Sequence, residues 1–143
     1  LHDPSGYKGN LEDFLNSVMA ELQKTPPAEL DRIRRDFKAA MKTAKAVFGS
    51  HAFRKKYNTR DRRHKPINKA LFETWAVLLA KLSDNERAML QAKNYHVQKA
   101  FVDACVNDKD FERSISVGTG EKRNVAKRFE KIETIIRDAL KDD

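Results

Sequence analysis

The sequence contains a single cysteine, Cys105, so the chain cannot form an internal disulfide. Cys105 falls within an apolar helical pattern that also includes Val97, Phe101 and Ala104. Unpaired cysteines are among the residues that proteins bury most often. We therefore expect Cys105 to be a buried structural thiol.

Long apolar runs are also missing, since no stretch approaches the length of about eighteen residues that a membrane span needs. With 40% hydrophobic and 35% charged residues, the chain is more charged than the average globular protein. We expect a cytoplasmic protein without a membrane role. The 143 residues suit one domain with a single core, so we predict one helical domain over residues 1–143.

The usual motifs of metal sites and enzymes are absent. The four histidines are scattered, with no cysteine or carboxylate at the spacing of a metal site: His2, His51, His64 and His96. We predict no metal ligand, no cofactor and no catalytic residue. His51 and His64 lie at the two ends of a basic segment. We interpret both as solvated loop residues, and the alternative is a catalytic or ligand role.

A glycine-containing segment, Ser116–Gly120, precedes a helix that carries Lys122 and Arg123. Backbone N–H groups at such a position can bind phosphate. The Walker spacing and a preceding strand are both missing, however, so nucleotide binding is the weaker alternative. We expect a loop whose glycines provide turns.

The stretch from Ile67 to Leu82 predicts a central helix, because its apolar residues cover more than half of the helical circumference. Pro66 suits the first turn of that helix. The fold class that follows is all-α, an irregular multi-helix bundle around a central buried helix at about residues 67–82. The side chains expected to be largely buried are Phe37, Leu71, Trp75, Leu78, Phe101 and Phe129.

Periodicity and capping signals predict the other helices. Asn10 is a candidate N-cap, Gly49 a candidate C-cap, and Ser83 with Glu86 a capping box. The predicted helices cover residues 11–22, 28–48, 84–93, about 94–106, a turn or two at 108–113, and 121–140. We expect the first of them to pack less tightly than the last.

A basic loop, residues 50–66, separates the second predicted helix from the central one. Residues 51–65 hold seven basic side chains against one acidic side chain, which is +6 of the net charge of +8. Loops of this length within a compact domain are usually functional or disordered. We allow one helical turn at Ala52–Tyr57. The basic residues are Arg54, Lys55, Lys56, Arg60, Arg62, Arg63 and Lys65.

These seven residues are the candidate nucleic-acid-binding site, with DNA as the expected partner. Arginine offers forked donors that match phosphate oxygens, and Phe53 and Tyr57 could stack on exposed bases. The alternative is a solvated charged loop, or one whose arginines pair with carboxylates of this protein or of a partner domain.

Several short strings along the chain carry a resemblance to a known family. They are Ala39-Ala-Met41, Ala44, Val47-Phe-Gly49, Ala52-Phe-Arg54, Ile67-Asn-Lys-Ala-Leu-Phe-Glu73, Leu82-Ser83, Phe111, Ser114-Ile-Ser116, Thr119-Gly120, Arg128-Phe129 and Ile132-Glu133. Over residues 36–140 the chain resembles the C-terminal helical region of the domain-of-unknown-function 262 family. That family includes the GmrS-type subunit of modification-dependent restriction systems.

The resemblance implies a helical C-terminal module of a bacterial restriction or anti-phage defence protein, cut away from its catalytic half. The family's N-terminal part resembles the ParB-like nuclease fold and carries an Asp-Gly-Gln-Gln-Arg motif associated with nucleotide hydrolysis or nuclease action. Neither that motif nor a His-Asn-His pattern occurs in residues 1–143. We expect a non-catalytic accessory role in DNA binding, or docking on the catalytic half, or homo-oligomer assembly. The first residue is Leu1 and not Met, which agrees with a piece of a longer protein.

Overall fold

Seven α-helices make up most of residues 7–141, the part of the chain that the computed structural model describes. Between them, a short 3-10 turn, Gly49–His51, follows the second helix. Within residues 7–141, the only β-type pairing is an isolated antiparallel bridge between Arg54 and Ile67. The predicted all-α fold is confirmed. The helices are α1 (Leu11–Lys24), α2 (Pro27–Phe48), α3 (Lys69–Ala80), α4 (Asp84–Ala92), α5 (Asn94–Asn107), α6 (Lys109–Ser114) and α7 (Lys122–Leu140).

Helix α3 is the centre of the bundle, as predicted. Ala70, Leu71 and every residue of 74–80 are buried, and the helix packs against both α2 and α7. Its first residue is Lys69 and not Ile67, because the Asn68 side chain accepts a hydrogen bond from the Leu71 N–H at 2.9 Å and so caps the helix. Ile67 belongs to the extended segment before the cap and is 57% exposed.

An aromatic cluster fills the core beside α3. The indole of Trp75 packs in T-shaped contacts with Phe48 and Phe101, with ring centroids 4.9 and 5.9 Å apart. The predicted burial of Leu71, Trp75, Leu78, Phe101 and Phe129 is confirmed.

The predicted burial of Phe37 is wrong, since this side chain is 38% exposed. It contacts Phe72 at the surface, with ring centroids 6.5 Å apart. The buried residues of α2 are confined to Ala40 and the positions after it. The apolar stripe of α2 is therefore longer than the surface against which the helix packs.

The predicted helix ends depend on local hydrogen bonds that the structure contains. The Asn10 side chain accepts from the Asp13 N–H at 3.2 Å at the start of α1. The two reciprocal hydrogen bonds of the Ser83 and Glu86 capping box are 3.2 and 2.7 Å long. Gly49 ends α2 with a φ of 58°, a conformation that glycine adopts without steric cost.

Helix α1 packs more sparsely than the other helices. None of its described side chains is fully buried, and Leu15 and Met19 are 50% and 57% exposed. Helix α7, by contrast, buries Phe129 and Ile132 among others. A cavity of about 530 Å³ separates α1 from α2, α3 and α7. The looser packing predicted for the first helix is thus present in the structure.

Cys105 is 3% exposed, so the prediction of a buried thiol is confirmed. Burial raises the pKa of this thiol to about 11, and the group is therefore protonated and unreactive at neutral pH. Among residues 7–141, no helix is both long enough and apolar enough to cross a bilayer.

Candidate nucleic-acid interface

Contacts between the first part of the basic loop and the residues that follow it close the loop at its base. The Asn68 N–H donates to the Phe53 carbonyl at 2.8 Å, next to the bridge between Arg54 and Ile67. Phe53 packs edge-on against Phe72, with ring centroids 5.0 Å apart. Because its two ends meet, the segment is a closed surface loop of the Ω type.

The helical turn expected at Ala52–Tyr57 does not form. A 3-10 turn forms earlier, at Gly49–His51. Phe53 then adopts a φ of 63°, which is in the left-handed region and incompatible with a right-handed turn. The side chain of Phe53 is occupied by its packing on Phe72, which leaves it unsuited to the base stacking suggested by the sequence.

One carboxylate, that of Glu112 on α6, anchors the first part of the loop. It accepts hydrogen bonds from the Tyr57 hydroxyl at 2.9 Å and from the Ser116 hydroxyl at 2.7 Å. These hydrogen bonds, together with the nearby ammonium group of Lys55, lower the pKa of Glu112. The Lys55 Nζ lies 3.8 Å from the same carboxylate and also contacts Ser116.

Burial and the hydrogen bond to Glu112 raise the pKa of Tyr57, so the phenol stays protonated and continues to donate. The Lys65 Nζ lies 5.4 Å from the centre of the Tyr57 ring, a cation–π contact. The Arg54 guanidinium donates to the Lys65 carbonyl. Arg54, Lys55 and Lys65 therefore help to hold the loop in shape.

Arg63 faces the single acidic residue of the loop. Its Nε lies 3.2 Å from Asp61 Oδ1, and its backbone N–H donates to the same oxygen at 3.0 Å. The hydrogen bonds from Arg63 lower the pKa of Asp61, and the pKa of Arg63 is raised by the same side-chain contact. Because the Arg63 side chain is 92% exposed, this pair is weakly held and screened by salt.

Arg60 and Arg62 lie at the tip of the loop and are exposed. Neither side chain has a hydrogen-bond or ion-pair partner in the described part of the chain. The backbone near them is held in place, because the Asn58 side chain accepts from the Arg60 N–H at 2.9 Å. The seven predicted site residues therefore divide into cations used within the fold, cations that face solvent, and Lys56, which is half-buried and close enough to His51 to affect its charge.

The closed loop also brings His51 and His64 together, with ring centroids 4.6 Å apart. The Ser50 Oγ lies 2.7 Å from His64 Nε2. From the sequence we interpret both histidines as solvated loop residues; His64 is exposed, whereas His51 is half-buried. Their contact could have been predicted from their positions at the two ends of one loop, because the ends of an Ω loop meet. His96 lies apart beside Tyr95, and His2 lies outside the described residues.

The glycine-containing segment before α7 is arranged differently from a phosphate-binding loop. The buried Arg128 guanidinium donates to the Thr119 carbonyl at 2.7 Å, and Asn124 donates to the Gly118 carbonyl at 2.8 Å. A Cβ on Gly118 would lie 2.5 Å from the Glu121 carboxylate. A carboxylate thus lies over the turn where an anion would bind, which favours the interpretation of a structural loop.

Within the described residues, no three histidine, cysteine or acidic side chains are grouped so that they could hold a metal ion. Comparisons of the chain with profiles of known protein families, with curated proteins and with solved structures found no match.

Proposed function

We propose that this chain is a non-catalytic helical module that binds nucleic acid through the basic loop, with duplex DNA as the first candidate. The observation that carries the proposal is the pair of exposed arginines, Arg60 and Arg62, without a carboxylate partner on residues 7–141. Guanidinium groups bind phosphate oxygens through paired hydrogen bonds. Arg63 lies beside them and is also exposed, and Lys65 is exposed although its ammonium group contacts the Tyr57 ring, so three or four cations can face a phosphate backbone.

The anchored base of the loop supports this function because it limits the conformations available to the tip. Glu112 holds Tyr57, and Asn68 holds Phe53. A binding segment that is already ordered loses less conformational entropy on association. The contacts would be made to phosphates and not to base edges, so we expect little sequence preference.

The resemblance to the domain-of-unknown-function 262 family suggests the biological setting. In that setting the chain is an accessory module of a GmrS-like defence protein, and it helps a nuclease or nucleotide-hydrolysing half to engage DNA. The full-length gene product tests this part of the proposal. An upstream Asp-Gly-Gln-Gln-Arg segment is expected, and its absence would contradict the family assignment.

The salt dependence of DNA binding tests the function itself. If three or four cations reach phosphates, the logarithm of the association constant for a duplex of about 20 base pairs should fall with the logarithm of salt concentration at a slope of about −3 to −4. The double variant Arg60→Gln/Arg62→Gln should reduce that slope by about 2. Fluorescence anisotropy of labelled DNA measures both values.

The matched control is Arg34→Gln/Arg35→Gln, which removes the same charge from exposed positions on α2. These positions lie about 20 Å along the helix from the loop at 1.5 Å per residue. We expect the control to keep a slope close to that of the wild type. If the two double variants reduce the slope equally, binding is a property of net charge and the loop is not the site. If the wild type fails to bind DNA at low salt, the proposal is wrong.

A docking or oligomerisation role is the second candidate, and one observation favours it. Leu15 and Met19 on α1 are exposed, beside the cavity beneath that helix. A second copy of the chain that covers these side chains would bury apolar surface. Sedimentation velocity should then show a concentration-dependent dimer that Leu15→Gln/Met19→Gln converts to monomer. A wild-type monomer at high concentration would contradict self-association.

A further inference from the structure

His51 and His64 form a pair of imidazole rings at the base of the basic loop. His51 is half-buried, His64 is exposed, and the Ser50 hydroxyl lies against His64. The rings are close enough that the charge state of one affects the other. Neither ring contributes to the anchoring contacts of Glu112 or to the arginines at the tip.

We propose that His51 and His64, with the Ser50 hydroxyl, form a phosphate-binding subsite of the basic loop that takes up protons when a nucleic-acid phosphate binds. This inference rests on the proposed function, and it names the regulation of that same surface. When His64 is protonated, its Nε2–H donates to Ser50 Oγ, which leaves the Ser50 hydroxyl hydrogen and the other imidazolium N–H groups of the pair to donate to phosphodiester oxygens.

The groups that face the two histidines explain why protonation of the pair needs a bound anion. Lys56 and Arg54 face His51 from the loop and disfavour its charged form, as does the neighbouring ring of His64. Asp61 is the one acidic group that acts in the opposite direction on His51. Burial and these cations together lower the pKa of His51.

A phosphodiester beside the two histidines acts in the opposite direction to these cations. A phosphodiester is anionic throughout the range in which imidazoles titrate, so its charge favours the protonated rings. By linkage, a complex that holds more protons than the free protein becomes tighter as pH falls. Uptake of about one proton corresponds to roughly a tenfold gain in affinity for each pH unit.

The dissociation constant for a duplex of about 20 base pairs, measured at pH 7.5, 6.5 and 5.5 and at constant ionic strength, tests the inference. Wild-type affinity should rise about tenfold or more across this range. His51→Gln/His64→Gln should lose most of that rise. Calorimetric titration in two buffers of different ionisation enthalpy should show proton uptake by the wild type and not by this double variant.

The control is His96→Gln, which removes an exposed histidine away from the loop. It should keep the full pH dependence. If circular dichroism shows that the double variant is unfolded, His64→Gln alone replaces it, because His64 is exposed. The same pH dependence in the variant and the wild type overturns the inference and leaves DNA binding intact, as does pH-independent binding by the wild type. Failure to bind DNA at any pH overturns the proposed function and, with it, this inference.

Discussion

Arginines in two regions of the molecule have the same side-chain chemistry but differ in burial and in hydrogen-bond partners. Arg128 on α7 is 3% exposed and donates to the Thr74 hydroxyl, the Thr119 carbonyl and the Glu73 carboxylate. Arg60 at the tip of the basic loop is exposed and has no such acceptors in the described structure. A guanidinium is buried only where hydrogen-bond acceptors satisfy it. The donors of Arg128 are therefore already used and are not available to a polyanion.

The comparison shows that the number of basic residues does not measure the capacity to bind polyanions. Arg87 and Arg128 add to the net charge, yet their donors serve backbone carbonyls and carboxylates of the fold. The Arg87 guanidinium, for instance, donates to the Leu79 and Ala80 carbonyls at the end of α3 at 3.0 and 2.8 Å. What matters for binding is the subset of cations that lacks internal acceptors.

Replacing Arg128 should give the largest effect on stability. Arg128→Met keeps the aliphatic part of the side chain but removes the guanidinium and with it the hydrogen bonds that tie α7 to α3 and to the loop before α7. We expect the free energy of unfolding to fall by about 2–4 kcal/mol, below the upper range for broken buried ion pairs because Glu73 is 48% exposed. Urea denaturation followed by circular dichroism measures it.

The control for that variant is Arg123→Met, which changes an exposed arginine on the same helix. Its free energy of unfolding should stay within about 0.5 kcal/mol of the wild type. Equal losses in the two variants would remove the distinction between buried and exposed arginines.

Arg87→Met should have an intermediate effect. Arg87 satisfies two carbonyls at the C-terminus of α3, where a positive charge is also favoured by the helix dipole. It has two carboxylate partners: Asp84 is 97% exposed and contributes little, and Asp36 lies 3.9 Å away and is 43% exposed. We expect a loss of about 1–3 kcal/mol in the same assay. Asp84→Asn serves as the control, and it should cost less than Arg87→Met.

Tyr57→Phe should have the smallest effect on stability, because it removes one hydrogen bond at a partly exposed site. The expected cost is about 0.5–1.5 kcal/mol. Hydrogen exchange of loop amides should become faster while that of α3 is unchanged, since local openings of a loop need not involve the core. Unchanged exchange in the loop would show that Glu112 does not anchor it through Tyr57.

Most of the helical architecture could be predicted because it is encoded by local signals. Helical periodicity located α3 and α7, and the side chain of Ser83 fixed the start of α4 by hydrogen bonds within a few residues. The error at Phe37 has a different origin. Whether an apolar stripe is covered depends on its packing partner, and the partner is set by tertiary structure.

The sequence was sufficient to locate the candidate site, but not to predict which of its side chains contact one another. The excess of charge located the loop, whereas the division of its cations depends on Glu112, which is 55 residues from Tyr57 in sequence. The contact between His51 and His64 likewise depends on loop closure by Phe53 and Asn68. Such contacts are long-range, so neither propensity nor spacing reveals them.

The single tryptophan provides an internal optical reporter of the core. Trp75 is 2% exposed and surrounded by Phe48 and Phe101, so its fluorescence should be blue-shifted in the native state and move to the red on unfolding. Because it lies in the core and not on the basic loop, the binding of a phosphate at the loop tip would leave this emission unchanged. A variant that loses DNA binding and keeps native tryptophan emission has therefore lost an interaction with its ligand and not its fold.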